Sequence, residues 1–338
     1  MNRGPAGWDE ILVERLTACK VAPFRLRGTV CLSRLARKAI ALALTVGWLA
    51  HTATATFTVA TYNLESYLDA AAGNRPPKAD AARAQVQESV LAMSPDVLAV
   101  QEIGTTNALL ELRASLKAGG GDYPYWEHVT GWDTNIFVAV LSRFPIIARR
   151  PWTNATFLLQ GRRFHVSRGF AEVDIRVSPT YTFTLISAHL KSRRPAAAAD
   201  EAELRAQEAR LLRQKVEGIL QRDLRSNVVV LGDFNDTQDS LPVKTILGTG
   251  RGALVDTRPA ERNREIAPGA RRYSGRRNIT WTHFYAKEDS YQRVDYLLLS
   301  RAMAREWDES GTYVLALPNW GVGSDHRPVL ARFFAEDR

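Results

Sequence analysis

The chain has 338 residues, of which 45% are hydrophobic and 24% are charged, the balance of a folded globular protein. Its only two cysteines, Cys19 and Cys31, exclude a disulfide-rich scaffold, a cysteine-rich zinc site and an iron–sulfur cluster. The formal net charge of +9 allows a polyanionic partner but does not require one.

The first 55 residues have the features of a secretory signal with an extension in front of it. A basic segment at 34–38 precedes an apolar run of 12 residues, 39–50, and small residues follow up to an Ala-Thr-Ala site ending at Ala55. We expect cleavage after Ala55, which leaves residues 56–338 as a secreted or periplasmic mature domain.

Two alternatives remain for this N-terminal region. The signal could stay uncleaved as a membrane anchor, although the apolar run is shorter than the roughly 20 residues that a spanning helix needs. The region could also be a disordered tail. A translation start at Val30 would give the signal an ordinary length and would explain the extension before it.

Downstream, apolar strands alternate with amphipathic helices, and no linker divides 56–338. Apolar runs and alternating patterns predict strands at Phe57–Leu64, Val97–Ile103, Ile136–Leu141, Gly169–Val177, Tyr181–His189, Asn227–Asp233, Thr280–Tyr285, Val294–Ser300, Thr312–Leu317 and Val329–Phe334. Apolar residues at helical spacing predict helices over about 82–93, 109–116 and 200–223. The segment 251–277, rich in Arg, Gly and Pro, is expected to be a surface loop. Two sheets packed face to face, with helices outside, would bury these runs in an α/β fold.

Several of these strands carry, at or near one end, a polar residue that a hydrophobic core would not select. The set comprises Asn63, Glu102, His189, Asp233, Asn235, Asp295, Asp325 and His326. A buried carboxylate is costly unless it is paired or bound to a metal, so these residues indicate one shared site. Carboxylates and amides favour an oxygen-preferring cation such as Mg²⁺, with Mn²⁺ or Ca²⁺ as alternatives.

Taken singly, these residues also have structural explanations. Glu102 could cap the turn at Gly104, and His189 could be a core histidine bonded to a backbone carbonyl. Asp233 and Asn235 could form an Asx-turn. Their occurrence together, and in this order along the chain, favours a functional site.

In that order, the segments TYNLE, LAVQEI, ISAHLKS, GDFND, RVDYLLLS and SDHRPV resemble the endonuclease/exonuclease/phosphatase family of metal-dependent phosphoesterases. That family includes deoxyribonucleases, abasic-site endonucleases, sphingomyelinases and inositol-phosphate phosphatases. The resemblance covers about 56–334, and GDFND together with SDHRPV is its most specific part. It implies a four-layer α/β sandwich, two packed mixed β-sheets flanked by helices, with the site at one end of the sheets.

The resemblance also implies roles for the metal end of the site. Glu102 matches the metal-binding glutamate, Asn63 supports the metal end, and Asp325 is a further acidic residue near the metal. Asp233 matches the aspartate that orients or deprotonates the attacking water. Asn235 matches its neighbour, which holds the nucleophile or a phosphate oxygen.

At the phosphate end, His326 matches the histidine that contacts the scissile phosphate, and Asp295 matches the aspartate paired with it. His189 matches a histidine of the deoxyribonuclease and sphingomyelinase branches. Arg168 and Lys191 occupy places where the family often has cations that face the phosphate. These roles suit an in-line attack of water on a phosphodiester, in which negative charge grows on the phosphoryl oxygens.

The resemblance and the export signal together predict a secreted nuclease, an endonuclease that needs Mg²⁺. A sphingomyelinase-like phospholipid hydrolase and an inositol-phosphate phosphoesterase are the alternatives, because one fold and site serve all these substrates. A catalytically inactive binding protein is a further alternative, disfavoured because every matched position keeps its functional residue type. We expect a monomer.

Basic residues favour nucleic acid as the substrate. The predicted helix over 200–223 carries Arg205, Arg210, Arg213 and Lys215, and the segment 262–277 holds six arginines with Tyr273 among them. Such residues can follow a phosphate backbone and stack on a base. The alternative interpretation is that they are solvated charges on a surface helix and loop.

Overall fold

Two β-sheets packed face to face form the centre of the protein. The computed structural model describes residues 55–262 and 280–338. The predicted signal segment and the part of the basic loop from 263 onwards, with Tyr273, lie outside the described residues. Within the described ranges, no helix is long and apolar enough to cross a membrane.

In the described ranges, the elements follow one another along the chain as strands with five α-helices between them. The strands are β1 (Thr56–Tyr67), β2 (Val97–Ile103), β3 (Tyr125–Val129), β4 (Phe137–Ser142), β5 (Ile146–Arg149), β6 (Thr156–Leu159), β7 (Arg162–His165), β8 (Phe170–Ser178), β9 (Tyr181–His189), β10 (Val228–Asp233), β11 (Val255–Asp256), β12 (Ala260–Glu261), β13 (His283–Tyr285), β14 (Ser290–Gln292), β15 (Asp295–Leu299), β16 (Trp307–Val314) and β17 (Val329–Phe334). The helices in the described ranges are α1 (Asp80–Met93), α2 (Thr106–Ala118), α3 (Glu201–Arg222), α4 (Leu241–Leu247) and α5 (Trp320–Gly323).

Both large sheets are mixed. One has seven strands in the order β12-β16-β17-β1-β2-β4-β3, and the other has six in the order β11-β15-β10-β9-β8-β5. In each sheet one central pair is parallel, β1 with β2 and β9 with β10. Two hairpins, β6–β7 and β13–β14, stand apart from the large sheets.

Alternating side chains of each strand divide between the central core and an outer layer. In β2, Val97 and Ala99 pack against the other sheet, whereas Leu98 and Val100 pack with residues of α1 and α2. In the six-stranded sheet, Val230 of β10 packs with residues of α3 and α4. The result is the predicted four-layer α/β sandwich.

The strand predictions are confirmed best where the strand is buried on both faces. The bounds of β2, β9 and β17 are those expected, and all three are almost wholly buried. The strand expected at Thr312–Leu317 instead runs over Trp307–Val314, because Trp307 and Asp308 also pair with β17, ahead of a register shift between Asp308 and Tyr313. The hairpin β6–β7 and the edge strands β3 and β5 were missed because each strand has only four or five residues and its side chains do not alternate in polarity.

A buried acid outside the cleft should make the stability of the fold depend on pH. Glu306 is 1% exposed and accepts a hydrogen bond from the hydroxyl of Tyr181. Burial, with a contribution from Asp337, raises the pKa of Glu306 to about 7, so the folded protein binds this proton more tightly than the unfolded chain does. The stability that Glu306 contributes is therefore present below its unfolded pKa and is lost as the pH rises toward 7.

We expect Glu306→Gln to remove this part of the pH dependence, which is worth about 2 kcal/mol between pH 5 and pH 8. Glutamine keeps an oxygen that can accept from Tyr181 and carries no charge. Urea unfolding of both proteins at the two pH values measures the difference. An equal loss of stability from pH 5 to pH 8 in both proteins would exclude Glu306 as its source.

Candidate active site

Strand register brings the polar strand ends together at one edge of the sandwich. Asp233 on β10 is paired with His189 on β9 and with Asp295 on β15. In the facing sheet, Asn63 on β1 is level with Gln101 on β2, one residue before Glu102. Because the carboxyl ends of parallel strands lie at the same edge of a sheet, both central parallel pairs deliver their polar residues there.

A glycine lets β9 and β10 approach closely just before Asp233. Gly232 has a φ of +130°, and a Cβ atom at this position would lie 1.9 Å from the carbonyl oxygen of Ala188. Only a residue without a side chain fits both constraints. The glycine of the GDFND segment therefore determines the position of the aspartate that follows it.

Asp233 is the centre of the site and is 1% exposed. Its Oδ2 accepts a hydrogen bond from Nδ2 of Asn63 at 2.9 Å, and its Oδ1 accepts one from the backbone N–H of Asn235 at 2.8 Å. Burial raises the pKa of Asp233 to about 6, the effect of Asp295 adds to this, and His326 opposes it. A carboxylate with this pKa is ionised in most molecules at neutral pH and still has appreciable basicity.

His326 and Asp295 form a buried pair beside Asp233. Nδ1 of His326 lies 2.8 Å from Oδ2 of Asp295, and Nε2 lies 3.9 Å from Oδ2 of Asp233. Burial disfavours the charged ring, but Asp295 and the two nearby aspartates outweigh it and hold the pKa of His326 well above the usual value. The ring is thus kept as an imidazolium with Nε2 directed toward the cleft side of the cluster.

His189 has the opposite electrostatic environment. Its Nε2 lies 3.4 Å from Oδ2 of Asp233 and 3.9 Å from Oε1 of Glu102. Burial, together with the positive charges of Arg168 and His326, lowers the pKa of His189 well below its usual value. The site therefore combines one neutral and one charged histidine around a single aspartate.

Glu102 is held in a strained backbone conformation with one carboxylate oxygen available. Its φ is +58°, a region that non-glycine residues rarely adopt. Oε2 accepts hydrogen bonds from the backbone N–H and hydroxyl of Ser66, whereas Oε1 has no hydrogen-bond partner within 55–262 and 280–338. An oxygen donor left free in an acidic cleft fits a hard divalent cation, so the residues present suit the predicted metal.

The remaining predicted residues differ in what they contact. Asn63 donates to Asp233 and accepts from the N–H of Glu65, so its amide orients the aspartate as well as lying near the metal end. Asn235, with a φ of +53°, donates to the carbonyl of Leu190 at 3.0 Å and lies 3.3 Å from Asp233 Oδ2. Asp325 lies 3.7 Å from Nε2 of His326.

The structure brings Arg168 into the site but not the amine of Lys191. Arg168 lines the cleft, and its Nη1 donates to the carbonyl of Leu190 at 2.9 Å. Nζ of Lys191 instead donates to the carbonyls of Ser192 and Arg194 at 3.1 and 3.0 Å. Because Lys191 is at the turn after β9, its side chain folds back onto its own loop.

The site opens into a cleft of about 870 Å³. Its walls contain residues that the sequence patterns did not single out, among them Glu65, Ser66, Arg75, Arg193, Arg194, His283, Tyr285 and Lys287. Glu65 is the last residue of the TYNLE segment, Ser66 directly follows it, and Arg193 and Arg194 directly follow HLKS, so proximity to a motif was an available signal. Arg75 and the residues of the β13–β14 hairpin had no such signal.

The basic residues expected to form an exposed face of α3 are mostly buried. Arg205 pairs with Asp236 at 2.9 Å, Arg213 pairs with Glu217 at 2.8 Å, and Lys215 contacts Glu172. All three cations are buried. They hold the helix against the sheet and the loops, and of the four basic residues only Arg210 is exposed.

Comparison with known proteins relates this arrangement to a family. The sequence profile of the endonuclease/exonuclease/phosphatase family matches residues 60–326. Similar solved structures include the human Nocturnin catalytic domain with bound sulfate, at 16% identity and a TM-score of 0.57, covering 82% of this chain and 94% of that one. A search of curated proteins found no match.

Two further similar structures come from bacteria. Sphingomyelinase C from Streptomyces griseocarneus is 20% identical with a TM-score of 0.54, covering 83% of this chain and 100% of that one. The 3′ phosphatase NExo from Neisseria, bound to a product DNA hairpin, is 19% identical with a TM-score of 0.53, covering 82% and 99%. At these low identities the solved structures show a similar fold only. The family profile, in contrast, matches most of the sequence and therefore shows family membership. The chain therefore belongs to the endonuclease/exonuclease/phosphatase family of phosphoesterases.

Proposed function

We propose that this protein is a Mg²⁺-dependent nuclease that hydrolyses phosphodiester bonds of nucleic acid. The observation that carries the proposal is a pair of buried arginine nitrogens on the cleft wall. Nη1 of Arg75 and Nε of Arg168 have no hydrogen-bond partner within the described ranges, although Nε of Arg168 lies 3.7 Å from Oδ2 of Asp133. Buried donors are almost always satisfied, and a phosphate group is the acceptor that matches arginine best.

Further cations extend this wall beyond a single phosphate. Arg193, Arg194 and Lys287 also line the cleft, and Nε of Arg193 donates to the carbonyl of Asn235 at 3.0 Å. The exposed ring of Tyr285 lies in the same wall. Several cations and an aromatic ring in the cleft that contains the acidic cluster suit a chain of phosphates carrying bases.

In the proposed reaction Asp233 accepts the proton of the attacking water, and Asn235 holds that water on the line of attack. The imidazolium of His326, charged because of Asp295, donates a hydrogen bond to a non-bridging oxygen of the phosphate. Arg75 and Arg168 hold the phosphate from the other side. Glu102 would hold the cation with Asp325 and Asn63 nearby, and bound Mg²⁺ would neutralise charge that develops on the phosphoryl oxygens.

The proposal predicts hydrolysis of DNA or RNA that depends on divalent metal. Purified protein is incubated with plasmid DNA, RNA, sphingomyelin and inositol phosphates, with Mg²⁺, with Mn²⁺ or Ca²⁺, and with EDTA. We expect cleavage of nucleic acid with Mg²⁺, loss of cleavage with EDTA, and recovery when Mg²⁺ is restored.

Asp233→Asn protein prepared in parallel is the control, because a contaminating nuclease would remain active in that sample. Faster turnover of sphingomyelin or an inositol phosphate than of either nucleic acid would overturn the choice of substrate. No hydrolysis of any substrate by folded protein would favour a binding protein instead.

We also propose that the protein is exported, on the basis of the basic and apolar segments at 34–38 and 39–50. Mass spectrometry of protein recovered from the periplasm or the medium should give an N-terminus near Thr56. A mature protein that begins at Met1 would contradict cleavage.

A further inference from the structure

A second histidine lies beside His326 and has no part in the proposed reaction. His283 on β13 forms an isolated antiparallel bridge with His326. Backbone hydrogen bonds fix this bridge, from Phe284 N to Asp325 O at 3.0 Å and from Arg327 N to Thr282 O at 2.6 Å. The two imidazole rings consequently face each other, with centroids 4.4 Å apart.

The carboxylate of Asp325 lies near the Nε2 atoms of both rings. Oδ2 is 3.5 Å from Nε2 of His283, and Oδ1 is 3.7 Å from Nε2 of His326. Each of the three side chains offers one ligand atom, and these atoms lie within 4.8 Å of one another. These separations exceed the 2.7–3.2 Å or so of an ordinary hydrogen bond. Each distance, measured to a different oxygen of Asp325, is close to the roughly 3.3–3.6 Å that separates two atoms bound to a tetrahedral zinc ion at about 2.0–2.2 Å.

His326 has the support that a metal-binding histidine usually has. Its Nδ1 is engaged by the buried carboxylate of Asp295 at 2.8 Å, so a metal ion would bind at Nε2 and displace the proton that Nε2 carries in the imidazolium. A carboxylate on the far nitrogen fixes the orientation of the ring and strengthens the nitrogen that binds metal. The side chains of His283 and Asp325 are 21% and 41% exposed, so the fourth position of such a site is open to the cleft.

We propose that His283, Asp325 and His326 form a second metal site, which takes a transition-metal ion such as Zn²⁺ and does not use Glu102. Two imidazoles and one carboxylate suit Zn²⁺ better than Mg²⁺, which prefers oxygen donors. An ion in this site engages Nε2 of His326, the nitrogen that would bind the phosphate. Zn²⁺ therefore inhibits hydrolysis. This inhibition rests on the proposed function, but the binding does not.

Binding is tested with Co²⁺, whose visible absorption distinguishes four or five ligands from six. Full-length protein without an affinity tag is titrated with Co²⁺ in excess Mg²⁺, which fills an oxygen site. We expect a visible band that Zn²⁺ abolishes. In His283→Asn, the affinity for Co²⁺ should fall at least about 10–100-fold. Removing a group that only hydrogen-bonds to a metal ligand already causes a loss of this size, and His283 is proposed as a ligand itself.

His165→Asn is the matched control, because the ring of His165 stacks on Trp132 and does not line the cleft. Cys19, Cys31 and His51 are present in all three proteins, so any Co²⁺ that they bind contributes equally to the three titrations. Far-ultraviolet circular dichroism and thermal unfolding confirm that the variants fold. Co²⁺ spectra and affinities that are the same in wild type and His283→Asn would overturn the site, as would the absence of a visible band in wild type.

Inhibition is measured as the Zn²⁺ concentration that halves each protein's own rate with Mg²⁺ alone. His283→Asn should need at least about tenfold more Zn²⁺ than wild type or His165→Asn. Equal sensitivity of His283→Asn and wild type would overturn the inhibitory role. If the protein hydrolyses no phosphoester, the proposed function fails, and the Co²⁺ titration still decides whether the metal site exists.

Discussion

Replacing Asp233 with asparagine should lower kcat by about 10²–10⁴-fold and leave KM within a few-fold of wild type. Asp233 is the buried carboxylate on which Asn63, Asn235 and His189 converge, and burial keeps its pKa near 6. Asparagine has nearly the same shape but cannot accept a proton from water. Because the proton is transferred only as the reaction proceeds, the loss should fall on turnover and not on substrate binding.

Steady-state kinetics at saturating Mg²⁺ measure this effect. Asp239→Asn is the matched control, because it makes the same chemical change on an exposed side chain six residues further along the chain. Thermal unfolding of each variant separates loss of activity from loss of fold. Near-normal turnover in Asp233→Asn would remove Asp233 as the base and would require another group to activate the water.

Glu102→Gln should fail in a different way. The substitution removes the charge of the carboxylate whose Oε1 is free for the cation, so the Mg²⁺ concentration that gives half-maximal activity should rise. Excess Mg²⁺ should restore part of the activity to Glu102→Gln and none to Asp233→Asn. An unchanged metal dependence in Glu102→Gln would contradict the metal-binding role.

The second large effect concerns the pair of His326 and Asp295. His326→Ala should lower kcat by about 10²–10³-fold, the usual cost of losing one electrostatic contact to a transition state. Asp295→Asn should cost less, because the imidazole remains in place and loses only the carboxylate that holds its charge.

The double variant tests whether the two residues act as a unit. If Asp295 acts through His326, then adding Asp295→Asn to His326→Ala should cause little further loss of kcat. The four kcat values of this cycle give the coupling directly. Losses that multiply independently would show that Asp295 supports catalysis by some route other than His326.

The sequence alone determined much of this architecture. Buried strands such as β2, β9 and β17 are short apolar runs bounded by turn residues, and their pattern depends only on local chemistry. Polar residues at the ends of such runs are costly to bury, so Asp233 and Glu102 could be named as candidate site residues before any fold was known. The structure places these residues together because parallel strands end at a common edge.

Only the tertiary structure decided which partner each polar side chain has. Periodicity on α3 could not separate Arg210, which is exposed, from Lys215, whose partner Glu172 is 43 residues away on β8. It also could not show that Lys191 folds onto its own loop, because that depends on the carbonyls of the turn after β9.

The charge states of His189 and His326, and the contact of His283 with His326, also depend on residues that are distant in sequence. Burial lowers the pKa of both His189 and His326, but nearby cations add to this effect at His189, whereas Asp295 and two further aspartates outweigh it at His326. His283 meets His326 only through a bridge between β13 and the segment before β17. A local pattern reports whether a side chain is buried, whereas burial beside a particular partner depends on how strands pair across the whole fold.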